Sequence, residues 1–229
     1  MHALTWQTVV DALLMADRHS TRALPLQVAR HRDRLLQGRV VTEHSSEGGS
    51  VQVAALCLVD APMQQVWDAA RDDDVVADPS VDERLLDTIN GAELWYGRLR
   101  LPRPIADRQW VVTCERNAAL EAASNGAIRE WSWQNVDRPS ELATRHMSAA
   151  TLRRGRWIDE QQGAWLVADL GAGKTMLGYH ARTSLGKRVP GWLIRDLVAK
   201  QVPPLVRRVA NASEKLDSFA ELSRHSPAA

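Results

Sequence analysis

The chain has 229 residues, of which 45% are hydrophobic and 25% charged, and a formal net charge of +1. This suits one compact domain with additions and an ordinary apolar core, and it argues against a protein held to nucleic acid by charge, which needs a strongly basic surface. Nine Trp stand against one Phe and two Tyr; a large apolar body with one N–H donor suits either a polar-edged pocket or a core filled by Trp in place of Phe.

Taken in order, Trp6, Val9, Val10, Leu13 and Leu14 recur at helical spacing and predict an amphipathic helix over 4–17. This N-terminus has no basic leader and carries Asp11 inside its apolar stretch, which makes a poor signal peptide and points to a cytoplasmic protein. A second helical piece follows Pro25 and stops at Gly38, with Arg30, His31, Arg32 and Arg34 on a solvated face. From residue 39 the texture becomes strand-like: "RVVTEH" and "SVQVAALCLVD" flank the turn signal "SSEGG". A short helix is expected over 61–74, with Asp60 as its N-cap and Pro62 at its start, followed by a loop, "VVADPS".

Strands are then expected at 81–89, 92–101, 108–118, 127–136, 142–153, 163–170 and 174–183. Their succession without intervening long helices excludes a parallel, doubly wound sheet. The last long element carries a helical stripe of Leu193, Leu197, Leu205, Val209, Leu216 and Phe219, with Pro203 and Pro204 expected to kink or break it. Cys57 and Cys114 lie in apolar strand-like runs and read as buried free thiols, not a disulfide framework.

The stretch "GAGKT", Gly171 to Thr175, imitates a phosphate-cradling loop. Such a loop needs an earlier glycine at position 168, which is Ala168, and a helix after it. The chain continues instead with "TMLGYHART", whose Leu177, Tyr179 and Ala181 alternate as in a strand. The glycines therefore read as a hairpin turn and no nucleotide is expected.

Two stretches resemble a known family. "LRLPRPIADRQWVV", Leu99 to Val112, is similar to the strand, Pro-x-Pro, Asp-Arg and aromatic crossing of START domains, the steroidogenic-acute-regulatory-protein-related lipid-transfer family. "LGKRVPGWLIRDLVAKQVPPLVRRV", Leu185 to Val209, resembles the glycine, proline and tryptophan that lead into that family's C-terminal helix. The likeness spans roughly residues 39–212. It departs at Arg108-Gln109, where the family usually has Arg-Asp, and at Pro102-Arg103-Pro104, where it has Pro-Trp-Pro. No motif in the N-terminal helices carries the likeness.

The resemblance implies an α+β helix-grip fold: a curved antiparallel sheet wrapped around a long C-terminal helix, with an internal tunnel. It divides the chain into an N-terminal helical extension (1–38), the START-like domain (39–222) and a disordered tail (223–229). It also implies non-catalytic binding or transfer of a lipid, sterol or fatty-acid-like molecule. A polyketide cyclase or dehydratase on the same fold, and a partner-binding regulatory module, are the alternatives.

Strand alternation nominates the lining. Trp95, Trp110, Val112, Cys114, Trp131, Trp133, Leu177 and Tyr179 are the candidates from the sheet, and Leu193, Leu197 and Leu205 those from the helix. Arg145 and Met147 are candidates on one choice of register, Arg145 to meet an anionic group of the guest. The loop and helix break at Gly186, Pro190, Gly191, Trp192, Pro203 and Pro204 are the expected gate. Lys187, Arg188, Arg195, Lys200, Arg207 and Arg208 bias this end toward transient contact with anionic membranes. The histidines are scattered without metal-ligand spacing, and His180 reads as a surface residue, so neither a metal nor a cofactor is expected.

Overall fold

Thr5 opens the first helix, α1 (Trp6–His19), by accepting a hydrogen bond from the Thr8 N–H. The computed structural model describes residues 5–21, 23–47, 49–186 and 189–224. After α1 a 3-10 turn, Val28–His31, runs into α2 (Arg32–Leu36), and Gly38 closes it with φ +69°. Then come β1 (Val41–Glu47), β2 (Ser50–Val59), α3 (Met63–Ala70), α4 (Asp73–Val76), β3 (Val81–Ile89), β4 (Ala92–Leu99) and β5 (Asp107–Arg116). The chain continues through α5 (Ala118–Ala123), β6 (Ile128–Asn135), α6 (Pro139–His146), α7 (Ala149–Leu152), β7 (Gly155–Trp157), β8 (Glu160–Asp169) and β9 (Thr175–Ser184), and ends in α8 (Gly191–Arg224).

The sheet runs β1-β2-β9-β8-β6-β5-β4-β3, antiparallel throughout, with β7 paired on β5 in parallel. β5 pairs with β4 along one edge and with two strands along the other: its residues Asp107–Gln109 pair with β7, and Val112–Arg116 with β6. One face grips α8. Val53, Ala55, Cys57 and Val59 of β2 pack there with Val202, Val206 and Val209 of the helix and Val66 and Ala69 of α3. On the other face Leu56, Leu166, Ala168 and Met176 pack against Val9, Leu13 and Ala16 of α1 and Leu35 of α2. Each fully buried Val or Leu contributes about 1.5–3 kcal/mol, so Val9 of α1 and Leu35 of α2 help to hold these helices on the sheet. Further along that face, Leu94, Tyr96 and Val111 are covered by Ala143 of α6.

A buried carboxylate staples the end of α1 to the sheet. Glu130 Oε2 accepts from the Thr21 N–H and Oγ1 (3.0 Å each) and from Asn117 Nδ2 (2.7 Å), while Asn117 also donates to the His19 carbonyl at 2.8 Å. At the other end of the chain, Arg208 of α8 donates to the Val75 and Ala77 carbonyls, and Gln201 to Ser80 Oγ. These bonds lace the segment after α4 to the helix, so Arg208 is engaged within the fold.

Several expectations are corrected. Residues 142–153 form α6 and α7 instead of a strand: Pro139 sits at the first helical position, Ser148 caps α7, and Ala143 is small enough to lie against Val111. Asp60 does not cap α3, whose N-cap is Pro62; its carboxylate pairs with Lys174. α8 stays helical through Pro203 and Pro204, because buried Val202 and Val206 on either side anchor it to the sheet and offset the lost backbone bonds. The side chains of Leu216 and Phe219 lie outside the described residues. His180 is buried, 5% exposed, because both faces of β9 are covered.

"GAGK" is a hairpin turn between β8 and β9: Gly171, Ala172 and Gly173 take φ of +79°, +54° and +72°, and Leu170 N–H bonds the Lys174 carbonyl. Lys174 and Asp60 are an exposed ion pair. Lys174→Ala should therefore move the urea midpoint by no more than about 0.5–1 kcal/mol equivalent.

Candidate ligand-binding hollow

Two adjoining chambers, each of about 200 Å³, lie between the sheet and α8. Val76, Glu83, Trp110, Gln161, Tyr179 and Leu205 line both, so the chambers meet at a common waist. Together they stand at the lower end of the roughly 300–1,000 Å³ typical of small-molecule sites.

The inner face of the sheet builds the first chamber. Trp95, Trp110, Val112, Cys114, Trp131, Trp133, Trp165 and Tyr179 wall it, with Leu205 from α8. The rings interlock: Tyr179 lies 4.7 Å from Trp165 and 5.8 Å from Trp133 between centroids. Two indoles are seated over glycines directly opposite them in register. Trp110 faces Gly97 and Trp133 faces Gly163, and a Cβ at either glycine would stand only 2.3–2.4 Å from the ring. These glycines let the rings lie flat along the wall and leave the hollow open.

The second chamber is more apolar: Val51, Val53, Leu99, Ala181, Leu185, Ile194, Leu197 and Val202 line it, with Asp78, Thr183 and Gln201 at its polar edge. Of the helix candidates, Leu197 and Leu205 line the hollow, whereas Leu193 is packed with Leu99, Leu101 and Ile158. Leu177 is likewise wholly buried in the main core. Arg145 and Met147 are elsewhere. Arg145 is exposed on α6, and Met147 packs on the opposite face of the sheet, because this segment is helical and lies outside the grip.

The polar lining was missed from sequence. Arg71 lies 4.0 Å over the Trp131 ring and donates to Glu93 at 3.2 Å, and Glu93 also accepts from Trp95 Nε1 at 2.9 Å. Asp73 reaches the first chamber from α4. Glu83 lies on β3 opposite Gly97 and lines both chambers; the residue is exposed overall, while its carboxyl group is crowded by the surrounding protein. Burial, then the like charges of Asp73 and Asp78, push its carboxyl above the usual carboxylate range. The Tyr179 phenol is pushed up too, by burial and by Glu83 and Asp78. A signal did exist: alternation backward from Trp165 reaches Gln161, and Val81, Glu83 and Leu85 share a face.

Near the gate candidates, Arg108 is 4% exposed and donates to the Leu185 carbonyl at 2.6 Å and to that of Ala106. It thus ties the Pro-rich loop to the lead-in of α8. Gly186 takes φ +81°, and Trp192 in the first turn of α8 is 63% exposed. Lys187 and Arg188 lie outside the described residues. No described helix is long and apolar enough to cross a membrane. Among the described residues no three His, Cys, Asp or Glu gather as a metal site.

Cys57 and Cys114 are buried free thiols, and burial pushes both up to about 12 from an ordinary 9.0. In the folded chain they stay protonated where unfolded thiols ionise. Their contribution to stability is whole below about pH 9 and is lost as pH rises toward 12. A thiol reagent such as Ellman's should label neither cysteine at pH 8 in the native state and both after denaturation.

An open antiparallel sheet gripping a long C-terminal helix, with a hollow between them, defines the START-like helix-grip fold. Among solved structures the chain is similar to the STAR-related lipid transfer protein fragment from Xanthomonas axonopodis (TM-score 0.57, 17% identity, 76% of this chain and 93% of that one). It is also similar to human STARD10 (TM-score 0.56, 14% identity, 90% and 86%) and to human StAR-related lipid transfer protein 5 (0.57, 12%, 92% and 98%). At these identities the likeness carries the fold and not the guest. No protein-family profile matches the chain, and no curated protein matches its sequence.

Proposed function

We propose that the chain binds a hydrophobic small molecule in the two-chambered hollow and carries it without chemical change. The observation that supports this most directly is the lining: Trp, Tyr and Leu side chains border open space between the sheet and α8, where an ordinary core would fill it. The chambers' volume suits a single-chain or few-ring guest. Trp95, Trp110, Val112, Cys114, Trp131, Trp133, Tyr179, Leu197 and Leu205 are the contact residues in this reading. The segment from Gly186 through Pro190, Gly191 and Trp192, with the Pro203-Pro204 step, is the gate. Exposed Trp192 and Arg195 favour a membrane surface as the place of exchange, reached from the cytoplasm. Extraction of the purified chain with organic solvent, followed by mass spectrometry, should yield a hydrophobic molecule in near-stoichiometric amount. A chain that arrives empty and takes up no apolar probe would overturn the reading.

A further inference from the structure

We propose that the guest carries a cationic head, a protonated amine, seated at the waist of the hollow against Glu83 and Tyr179. This rests on the carrier reading above and names the class of guest. Three polar side chains meet where the chambers join: Glu83 from β3, Gln161 from β8 and Tyr179 from β9. None of the three has a hydrogen-bond or ion-pair partner among the described side chains, although Tyr179 is enclosed by protein. An enclosed polar group such as the Tyr179 hydroxyl is costly without a partner, and its persistence at a cavity wall points to a partner that arrives with the guest.

The charges decide which partner. Carboxylates Asp73, Asp78, Glu83 and Glu93 line the hollow, against one guanidinium among the described lining residues, that of Arg71, which is committed to Glu93. A carboxylate or phosphate head would meet this excess as a like charge. An ammonium would meet Glu83 as a counter-ion, the Tyr179 oxygen as an acceptor, and Trp110, the indole that lines both chambers, as a cation–π partner. α8 adds no charge from its described lining residues, Ile194, Leu197, Gln201, Val202 and Leu205. β5 adds only the Cys114 thiol.

Binding should depend on pH accordingly. With its carboxyl raised by burial and by Asp73 and Asp78, Glu83 is neutral at low pH and becomes a counter-ion as pH rises through its titration. Amine affinity therefore grows with pH over that window, then falls when the amine itself loses its proton near about pH 10.

The test is calorimetric titration of the full chain with n-decylammonium, n-decanol and n-decanoate, three heads on one tail. Decylammonium should bind about 10-fold or more tighter than decanol at neutral pH, with decanoate weakest. Glu83→Gln, which keeps the shape, should cost decylammonium about 10-fold and leave decanol within about twofold. In the unaltered chain, decylammonium affinity should rise with pH while decanol's stays flat, a readout independent of how the variant folds. If decanol or decanoate binds as tightly as decylammonium, or decylammonium shows neither the pH rise nor the loss on Glu83→Gln, the cationic head is wrong and the carrier reading stands. If none of the three binds, the carrier reading falls and this proposal with it.

Discussion

Leu205→Trp is expected to abolish guest uptake, lowering the affinity for both decylammonium and decanol by about 100-fold or more, while the chain stays folded. Leu205 projects from α8 into the waist and lines both chambers, so an indole there occupies the passage between them. Larger side chains usually destabilise a packed core by about 1–3 kcal/mol because nothing can move aside. Here the added atoms enter open space bounded by Trp110 and Tyr179, and burying them should hold the melting temperature level or raise it. Unaltered binding of both probes in a folded Leu205→Trp chain would place the guest elsewhere. Loss of both probes also separates this variant from Glu83→Gln, which should spare the alcohol.

Gly163→Ala should be the most damaging single methyl in the sheet. Gly163 lies in β8 between β6 and β9, and a Cβ there would sit 2.2 Å from the His180 carbonyl oxygen and 2.4 Å from the Trp133 ring. The first of these is backbone in a central strand and cannot swing away. Relief requires the β8–β9 pairing to shift, carrying Tyr179 with it. We expect a loss of about 3 kcal/mol or more, read from urea unfolding, with guest binding weakened because Trp133 is driven from the wall. Gly178→Ala is the internal control: its nearest neighbour would stand at 3.4 Å, an ordinary contact, so stability should hold within about 1 kcal/mol. Equal losses at the two positions would mean that the close seating of Trp133 over Gly163 is not what the site requires.

The contrast between these glycines shows where sequence reading stops. Both are glycines in strands of alternating apolar residues, and nothing local distinguishes them. What separates them is the residue across the ladder, Trp133 opposite Gly163 and Leu166 opposite Gly178. The indoles of the wall were legible because Trp110, Trp131 and Trp133 fall on one side of a two-residue period. Glu83 was not, because an acidic residue on an edge strand normally faces water, and only the tertiary structure sets it on the lining of both chambers. Arg145 failed for a different reason. Its segment has no strong period of either kind, and the helix it adopts is set by Pro139, Ser148 and the small Ala143 against the sheet.

By itself the sequence determined the antiparallel α+β order, most strand positions, the turn at Gly171–Gly173, the buried cysteines and the long C-terminal helix. Each of these is written in local periods or in residues that permit only certain backbone angles. Tertiary structure alone decided that α1 and α2 cover the outer face of the sheet, that His180 is buried, that α8 runs through its prolines, and that Glu83 and Tyr179 meet at one waist. Those outcomes depend on surfaces brought together from distant parts of the chain, where burial outweighs the preference of any single segment.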